Sequence, residues 1–210
     1  MQTGDGYAAY ISGALGVSTD ANAAWWGSRG MGTVPHALIA AYDGDTVRAS
    51  RKFAQYIDPA VHLITLVDFD NDCVGTSIAV AQALGERLWG VRLDTSGTLV
   101  DRSIVPQMGT FVPTGVVPQL VRNVRDGLDR NGFSHVRIVA SGGFTAQKIR
   151  AFENDAVPVD AYAVGTAFFA NPGGFDFTAD IVAIERNGVW QPCHKVGRPE
   201  RPNPRLSPVS

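Results

Sequence analysis

Short apolar runs bounded by glycine or polar residues recur along the chain, and segments of helical period lie between them. This alternation is typical of β-α units around a parallel sheet. Strands are predicted at residues 31–34, 62–67, 89–93, 136–140 and 161–164. Helices are predicted at 37–42, 74–84, 118–131 and 146–152, with glycines 85 and 132 closing two of them. About five such units indicate an α/β domain that binds ligands at the carboxyl ends of its strands.

Three segments depart from this alternation. The segment 95–117 is too long for an idle connection, so we predict a lid or a substrate loop there. Residues 7–15 predict an apolar, core-packing helix that a partner chain or an upstream domain would cover. Residues 179–185 and the following Asn187-Gly188 predict half of a hairpin, and an extended Pro/Arg-rich tail follows. We therefore divide the chain into an α/β barrel domain at 1–178 and a hairpin and tail at 179–210.

Composition narrows the class of protein. The chain has 210 residues, 45% of them hydrophobic and 18% charged, which suffices for one sizeable core. A net charge of −2 gives no basic field for nucleic acid or for an anionic membrane. Two cysteines without spaced Cys or His neighbours predict neither a disulfide framework nor a zinc site, and favour the reducing cytoplasm. No apolar run approaches the length that a bilayer span requires.

Two glycine-containing turns follow the last two predicted strands. Ser141-Gly142-Gly143 precedes a helix, so its unblocked N–H groups lie where the helix dipole favours a phosphate. Gly165-Thr166 offers a similar turn after the next strand. Either pair alone is more often an ordinary tight turn. Adjacent turns of this kind on the last strands of a barrel together predict a phosphate site.

Acidic side chains follow the two strands that come earlier in the chain. Asp68, Asp70 and Asp94 are candidates for binding ribose hydroxyls, for holding Mg²⁺ through water, or for acid-base chemistry. Helix capping is the alternative, because Asp70 and Asp72 lie where a cap before Val74 would be. Arg92 shares a strand face with Asp94, so the two form either an ion pair or an anion clamp together with the adjoining Thr95.

His36 is the one histidine that follows a predicted strand end. Among strand-end carboxylates and phosphate turns it is a candidate nucleophile toward a phosphoryl group, or an acid-base group, although a lone histidine is more often structural. The sequence has no Walker A loop, no well-formed dinucleotide fingerprint and no Gly-x-Ser-x-Gly elbow. No lysine follows a predicted strand, which argues against Schiff-base chemistry.

Five motifs together resemble the nicotinate phosphoribosyltransferase family. In order they are Gly-Thr-Val-Pro-His-Ala-Leu-Ile at 32–39, Leu-Val-Asp-Phe-Asp at 66–70, Val-Arg-Leu-Asp-Thr-Ser at 91–96, Val-Ala-Ser-Gly-Gly-Phe at 139–144 and Ala-Val-Gly-Thr at 163–166. Their order and spacing match the family over nearly the whole chain. Quinolinate and nicotinamide phosphoribosyltransferases share the fold and some of these turns.

The resemblance implies an irregular (β/α) barrel of the type II phosphoribosyltransferase kind, which joins nicotinate to 5-phosphoribosyl 1-diphosphate (PRPP). In this family ATP hydrolysis is coupled through a phosphorylated histidine, whose position His36 matches. Asp94 matches an acid near the ribose. The residues that match the 5-phosphate turns are Gly142, Gly143, Gly165 and Thr166. Mg²⁺ is expected to arrive on the diphosphate, with Asp68 or Asp70 as candidate ligands.

The resemblance also implies an assembly. Family members are longer and begin with a domain that contributes part of the nicotinate pocket, often across a dimer interface. We therefore expect a homodimer or a partner chain to complete the site. Two other functions stay open, a quinolinate or nicotinamide phosphoribosyltransferase and a phosphate-binding barrel without catalysis.

Overall fold

A four-stranded parallel sheet forms the centre of the molecule. The computed structural model describes residues 2–169 and 179–205. The strand order follows the chain: β1 (Leu63–Leu66), β2 (Leu88–Leu93), β3 (Arg137–Ala140) and β4 (Ala161–Tyr162). The predicted first strand at 31–34 is reduced to Val34, which makes a parallel bridge to Thr65 of β1. The predicted α/β class is confirmed. The described residues form an open sheet, so closure into a barrel stays a prediction.

Seven helices lie in the described part of the chain. They are α1 (Gln2–Ile11), α2 (Asp20–Ala23), α3 (His36–Ala41), α4 (Thr46–Tyr56), α5 (Cys73–Leu84), α6 (Pro118–Arg130) and α7 (Ala146–Asn154). The predicted helices correspond to α3, α5, α6 and α7 with small differences at their ends. An antiparallel hairpin of β5 (Ala183–Arg186) and β6 (Val189–Pro192) turns through Asn187 and Gly188, at φ 52° and 79°.

Capping side chains set the helix starts. The carboxylates of Asp45 and Asp72 and the hydroxyl of Thr145 each accept a hydrogen bond from the backbone N–H three residues on. The prediction that an aspartate caps this helix is therefore confirmed for Asp72, which is the N-cap of α5. Gly132 follows Asn131, the C-cap of α6, and terminates the helix at φ 83°, a conformation that other residues adopt at a cost.

Helix α4 is absent from the predicted elements, and some of the side chains that it buries are small and polar. Thr46, Ala49 and Ser50 face inward, and the Ser50 hydroxyl donates to the Thr46 carbonyl at 2.7 Å. The Ser50 and Thr65 hydroxyls lie 3.1 Å apart, so α4 meets β1 partly through a polar contact. The segment nevertheless has a helical period, because Val47, Phe53 and Ala54 pack against the core beside Ala49, and the sequence prediction overlooked it.

The hydrophobic core has two parts. The larger one fills the space between the sheet, α5 and α6, and contains Leu93, Leu120 and Ile138. The smaller one joins α3 and α4 to β1 around Ile39 and Leu63. Truncating a buried leucine or isoleucine of either part to alanine costs about 2–5 kcal/mol. The two clusters fix β1, β2 and β3 rigidly under the loops at their carboxyl ends.

The long segment between β2 and α6 contains one short 3-10 turn, at Val105–Gln107. Its first half is fixed to the turn after β1: Asn71 Nδ2 donates to the Val100 carbonyl at 2.7 Å, and the Asp101 carboxylate accepts from the Cys73 N–H at 2.9 Å. These contacts anchor the base of the segment. Its predicted role as a lid or substrate loop stays a prediction.

The N-terminal helix is exposed in the described chain. Tyr7 is 43% exposed, Ile11 65% and Leu15 87%, so these residues do not pack in the described core, and their cover by a partner chain or an upstream domain stays a prediction. Tyr10 stacks on Trp26 with ring centroids 4.4 Å apart. Helix α1 thus packs on α2 and the 3-10 turn after it instead of on the sheet. Among the described helices, none has the length and apolarity to cross a bilayer.

Candidate functional site

His36, Asp68 and Lys195 meet at the carboxyl end of β1. His36 begins α3 directly after the Val34 bridge, and Asp68 lies two residues beyond β1. The Nε2 atom of His36 is 2.7 Å from Asp68 Oδ1, and the Nζ atom of Lys195 is 2.8 Å from Asp68 Oδ2. The lysine contact has ion-pair distance, although its angles leave Oδ2 without a regular hydrogen bond. Asp68 is thus a buried carboxylate with a basic group on each oxygen.

Burial and charge act against each other on Asp68. Burial by itself raises the pKa of this carboxyl, but the hydrogen bond and charge of His36 and the charge of Lys195 together lower the pKa below its usual value. Asp68 is therefore ionised at neutral pH. A buried anion is tolerated only where cations and hydrogen bonds compensate it, so the three residues act as one electrostatic unit.

Arg92, Ser141 and Asp94 form a chain of hydrogen bonds across the ends of β2 and β3. The strands pair Leu93 with Ala140, which places the next residues of each strand side by side. Arg92 Nε donates to Ser141 Oγ at 2.9 Å, and Ser141 Oγ lies 2.7 Å from Asp94 Oδ1 and 2.8 Å from the Leu93 carbonyl. The single hydroxyl proton is shared between these two acceptors. Ser141 therefore couples the guanidinium to the carboxylate.

The turn after β3 has the backbone that its glycines permit. Gly142 and Gly143 have φ of 88° and 69°, and both are exposed. A Cβ atom on Gly142 would lie 3.4 Å from the Thr95 carbonyl and 3.5 Å from Asp94 Oδ1, so the turn packs closely against the end of β2. Consecutive positive-φ residues before a helix expose backbone N–H groups of the kind that bind anions.

Lys148, on the first turn of α7, lies beside the glycine turn. Its Nζ atom is 3.4 Å from the Gly142 carbonyl and 4.2 Å from the centre of the Phe144 ring. Partial burial lowers the pKa of this ammonium group. The glycine turn therefore has a cation at its edge that the sequence motifs did not indicate.

Of the other predicted site residues, Thr95 is buried, whereas Gly165 and Thr166 are exposed. Thr95 is buried and its hydroxyl lies 3.6 Å from Cys73 Sγ, so the side chain points toward α5 while its carbonyl borders Gly142. Gly165 and Thr166 follow β4, which pairs with β3, and both are exposed. The structure thus keeps them at the carboxyl end of the sheet, one strand beyond the glycine turn.

Asp70 borders a separate open cavity of about 470 Å³, together with Asp43, Asp45, Cys193 and His194. Burial first, and then the charges of Asp72 and Asp45, raise the pKa of Asp70, while Arg102 opposes them. No group of three or more His, Cys, Asp or Glu side chains suited to a metal ion exists among the described residues. Asp68 already has basic groups on both oxygens, so the described carboxylates do not form a dedicated Mg²⁺ site.

Lys195 is the site residue that sequence reasoning missed. No lysine directly follows a predicted strand in the sequence. In the folded chain, however, the tail after β6 returns to the end of β1 and brings a lysine there. The Val196 N–H donates to the Phe69 carbonyl at 2.9 Å, which fixes Lys195 beside Asp68 with 5% of its surface exposed. No local pattern around Lys195 indicates this contact, and only the scarcity of lysine draws attention to it.

Comparison with known proteins bears on the family resemblance that the five sequence motifs indicate. No family model matches the chain. Nicotinate phosphoribosyltransferase pncB1 of Mycobacterium tuberculosis is 31% identical over 189 residues, covering 87% of this chain and 37% of that protein. Nicotinate phosphoribosyltransferase of Bacillus subtilis is 26% identical over 81% of this chain and 32% of its own length. The chain thus spans about a third of the length of these curated relatives.

A solved structure gives the same result for the fold. The crystal structure of nicotinate-nucleotide pyrophosphorylase from Pyrococcus furiosus is 33% identical in sequence, with a TM-score of 0.63 over 91% of this chain and 43% of that one. Identity of this level together with this overlap indicates common ancestry and not fold alone. The resemblance predicted from the motifs is confirmed: along nearly its whole length this chain is similar to part of proteins named nicotinate phosphoribosyltransferase.

Proposed function

We propose that the chain carries the phosphoribosyl-transfer site of a nicotinate phosphoribosyltransferase, which forms nicotinate mononucleotide and diphosphate from nicotinate and PRPP. One observation carries the proposal: the Arg92–Ser141–Asp94 chain and the glycine turn after β3 lie together at the carboxyl ends of β2 and β3. Relatives of that name match 87% and 81% of this chain.

The proposed roles follow from charge. The 5-phosphate of PRPP binds the N–H groups of Gly142 and Gly143, with Gly165 and Thr166 on the next strand, and Lys148 supplies a cation beside them. Asp94 faces the ribose, where a carboxylate favours the positive charge that develops at the anomeric carbon. Arg92 holds Ser141 and Asp94 in place and presents its remaining N–H groups to the carboxylate of nicotinate.

ATP is the proposed co-substrate, with His36 as the group that receives its γ-phosphoryl. The imidazole lies at the same edge of the sheet and is held by Asp68, as a nucleophile of this kind requires. Mg²⁺ enters as a complex with the phosphates, since the described carboxylates form no cage for it.

The proposal includes a cytoplasmic enzyme that works as a homodimer or with a partner chain. What supports an assembly is the exposed aromatic cluster of Tyr7, Tyr10 and Trp25 beside α1, a surface of the kind that association covers.

The direct test incubates the purified protein with nicotinate, PRPP, Mg²⁺ and ATP, and follows nicotinate mononucleotide by chromatography and mass spectrometry. We expect product with nicotinate and none with nicotinamide. Labelled quinolinate in the same assay distinguishes the alternative transferase, which would release CO₂. PRPP binding is measured separately by calorimetry, and heat without turnover would instead indicate a phosphate-binding barrel without catalysis.

His36→Ala tests the proposed coupling to ATP. The variant should lose PRPP-dependent ATP hydrolysis by a factor of about 100 or more, because the phosphoryl acceptor is gone, while keeping slow transfer without ATP. His62→Ala is the matched control, since His62 stacks on Trp89 near the opposite ends of β1 and β2, with ring centroids 4.7 Å apart. Equal ATP hydrolysis in the His36 and His62 variants would exclude the role.

A further inference from the structure

Lys148 holds its amine against aromatic rings at the edge of the glycine turn. The Nζ atom is 4.2 Å from the centre of the Phe144 ring and 5.8 Å from that of Phe152. We propose that Lys148 is a modification site, which acyl phosphates acylate after their phosphate group binds at the glycine turn. The modification removes the cation beside the turn and weakens phosphate binding there. The binding step rests on the proposed function, in which the same turn holds the 5-phosphate of PRPP.

The three lysines of the chain have different surroundings. Lys52, on α4, donates from Nζ to Gln55 Oε1 at 3.1 Å in an exposed contact. Lys195 is 5% exposed and pairs with Asp68 at 2.8 Å. Lys148 is half-buried on the first turn of α7, and no carboxylate of the described residues pairs with it. It is therefore the lysine whose amine meets a ligand bound at the glycine turn.

The surroundings of Lys148 favour a reactive amine. Acylation requires the neutral form, because an ammonium group has no lone pair with which to attack a carbonyl carbon. Partial burial lowers the pKa of Lys148, so a larger fraction is neutral than for a fully hydrated lysine. The Gly142 carbonyl accepts a hydrogen bond from Nζ at 3.4 Å, and the Phe144 ring supports the side chain from below. These contacts hold the amine at the turn.

An acyl phosphate suits this arrangement because its carbonyl carbon lies one oxygen away from its phosphorus. Gly142 and Gly143 are exposed, and the position of a Cβ atom on Gly143 has no other atom within 4 Å, so a ligand has room there. A phosphate held by the N–H groups of the turn brings the attached carbonyl carbon beside Lys148 Nζ. Holding the two reacting groups together raises the rate relative to Lys52, which has no such turn beside it.

The acylation step needs no reagent besides the acyl phosphate. The lone pair of the Lys148 amine forms a bond to the carbonyl carbon, and the bond from that carbon to the bridging oxygen breaks. Inorganic phosphate leaves with the electron pair and takes up the proton that the amine loses. The lysine becomes a neutral amide, which no longer attracts an anion as a cation does. Phosphate binding at the turn consequently weakens after one turnover.

Acetyl phosphate tests the site in the wild-type protein, with peptide mapping by mass spectrometry to follow each lysine. Lys148 should be acetylated about tenfold faster than Lys52, and excess inorganic phosphate should abolish this preference. Acetic anhydride carries no phosphate, so its acetylation of Lys148 should not respond to inorganic phosphate. Gly142→Ala should slow the reaction of Lys148 with acetyl phosphate, whereas the control Gly132→Ala should not. Equal rates at the two lysines, or a preference that inorganic phosphate leaves unchanged, would overturn the proposal.

Calorimetric titration with PRPP before and after acetylation measures the consequence for binding. The affinity of the wild type should fall about tenfold, whereas Lys148→Arg should bind PRPP equally before and after the same treatment. An unchanged affinity in acetylated wild type would contradict the effect on phosphate binding. No PRPP binding or turnover, beside acetylation of Lys148 that inorganic phosphate suppresses, would refute the proposed transferase and leave the modification site. Transferase activity without selective acetylation of Lys148 would refute the modification site alone.

Discussion

Gly142 shows how a single backbone angle shapes the candidate site. Its φ of 88° turns the chain away from β3, and the residue sits against the Thr95 carbonyl and the Asp94 carboxylate. An alanine there must adopt the left-handed region and place a methyl group at the edge of the turn. Both effects act on the N–H groups that we propose to bind the 5-phosphate.

We expect Gly142→Ala to lower the free energy of unfolding by about 1 kcal/mol, from backbone strain, and to weaken PRPP binding about tenfold. Urea denaturation and calorimetric titration measure the two effects. Gly132→Ala is the matched control, because Gly132 has a similar φ of 83° and open space where a Cβ atom would lie. It should lose the same stability and keep its PRPP affinity. Equal affinity losses in both variants would mean that the glycine turn has no direct role in binding.

The sequence predicted which residues lie at the carboxyl ends of β2 and β3, but only some of the contacts that these residues make. Arg92 and Asp94 on one face of β2 follow from the two-residue period of a strand. Ser141 between them does not, because the contact depends on the register of β2 against β3, which the sequence does not display. Lys195 lies further from prediction still, since its position results from the path of the tail after β6.

At the scale of elements, Asp101 joins the long segment after β2 to the start of α5. Its carboxylate is fully buried and accepts hydrogen bonds from the Cys73 N–H and from both the N–H and the hydroxyl of Ser103. The Cys73 bond also satisfies a backbone donor of the first turn of α5, where negative charge is favourable. One side chain thus fixes both a loop and a helix terminus.

Asp101→Asn removes the negative charge and replaces one carboxylate oxygen by an NH₂ group. This group cannot accept the hydrogen bonds that Cys73 or Ser103 donates to the carboxylate. We expect a loss of about 2 kcal/mol in the free energy of unfolding, measured by urea denaturation. The control is Asp126→Asn, whose carboxylate is 62% exposed beside Arg130 on α6 and should change the stability by less than about 0.5 kcal/mol. A result for Asp101→Asn within the range of the control would show that the segment is not held through this carboxylate.

Helices were predicted with nearly correct bounds where the capping residues and the apolar periodicity of the sequence indicate the same start and end. Helix α6 has Pro118 at its first position and ends just before Gly132, and α5 runs between Asp72 and Gly85, so their bounds were nearly correct. Helix α4 was overlooked although its pattern is helical, since the buried Ala49 and the partly buried Phe53 lie four residues apart on the face that meets the core. Helix α1 was predicted to pack in the core from its apolar composition, which says nothing about what lies against it.

At the scale of the whole molecule, the tail after β6 closes onto the first strand of the sheet. Lys195 pairs with Asp68 at the end of β1, and the Val196 N–H donates to the Phe69 carbonyl. The contact joins segments that lie 127 residues apart along the chain, since it pairs residue 68 with residue 195. Its strength depends on the ionisation of Asp68, because a protonated carboxyl would leave the lysine as a buried, uncompensated charge.

This dependence predicts how stability changes with pH. The folded-state pKa of Asp68 lies below its usual value, against burial, because of His36 and Lys195. Ionised Asp68 therefore contributes stability that is fully present above about pH 4 and is lost as the pH falls through the folded-state pKa. Asp68→Asn removes this contribution at every pH. The difference in the free energy of unfolding between wild type and Asp68→Asn should be large at pH 7 and should shrink toward pH 3.

Urea denaturation at several pH values measures this difference, and hydrogen exchange at the Val196 amide, corrected for its intrinsic rate, reports on the tail. Asp58→Asn is the control, since its carboxylate is 49% exposed beside Arg29 and should give a small difference from wild type throughout. A difference for Asp68→Asn that stays constant from pH 7 to pH 3 would mean that shape alone, and not the charge on Asp68, joins the tail to the sheet. If this free-energy difference and the hydrogen-exchange protection of the Val196 amide both decrease toward pH 3, the Asp68–Lys195 ion pair is what holds the C-terminal tail against β1.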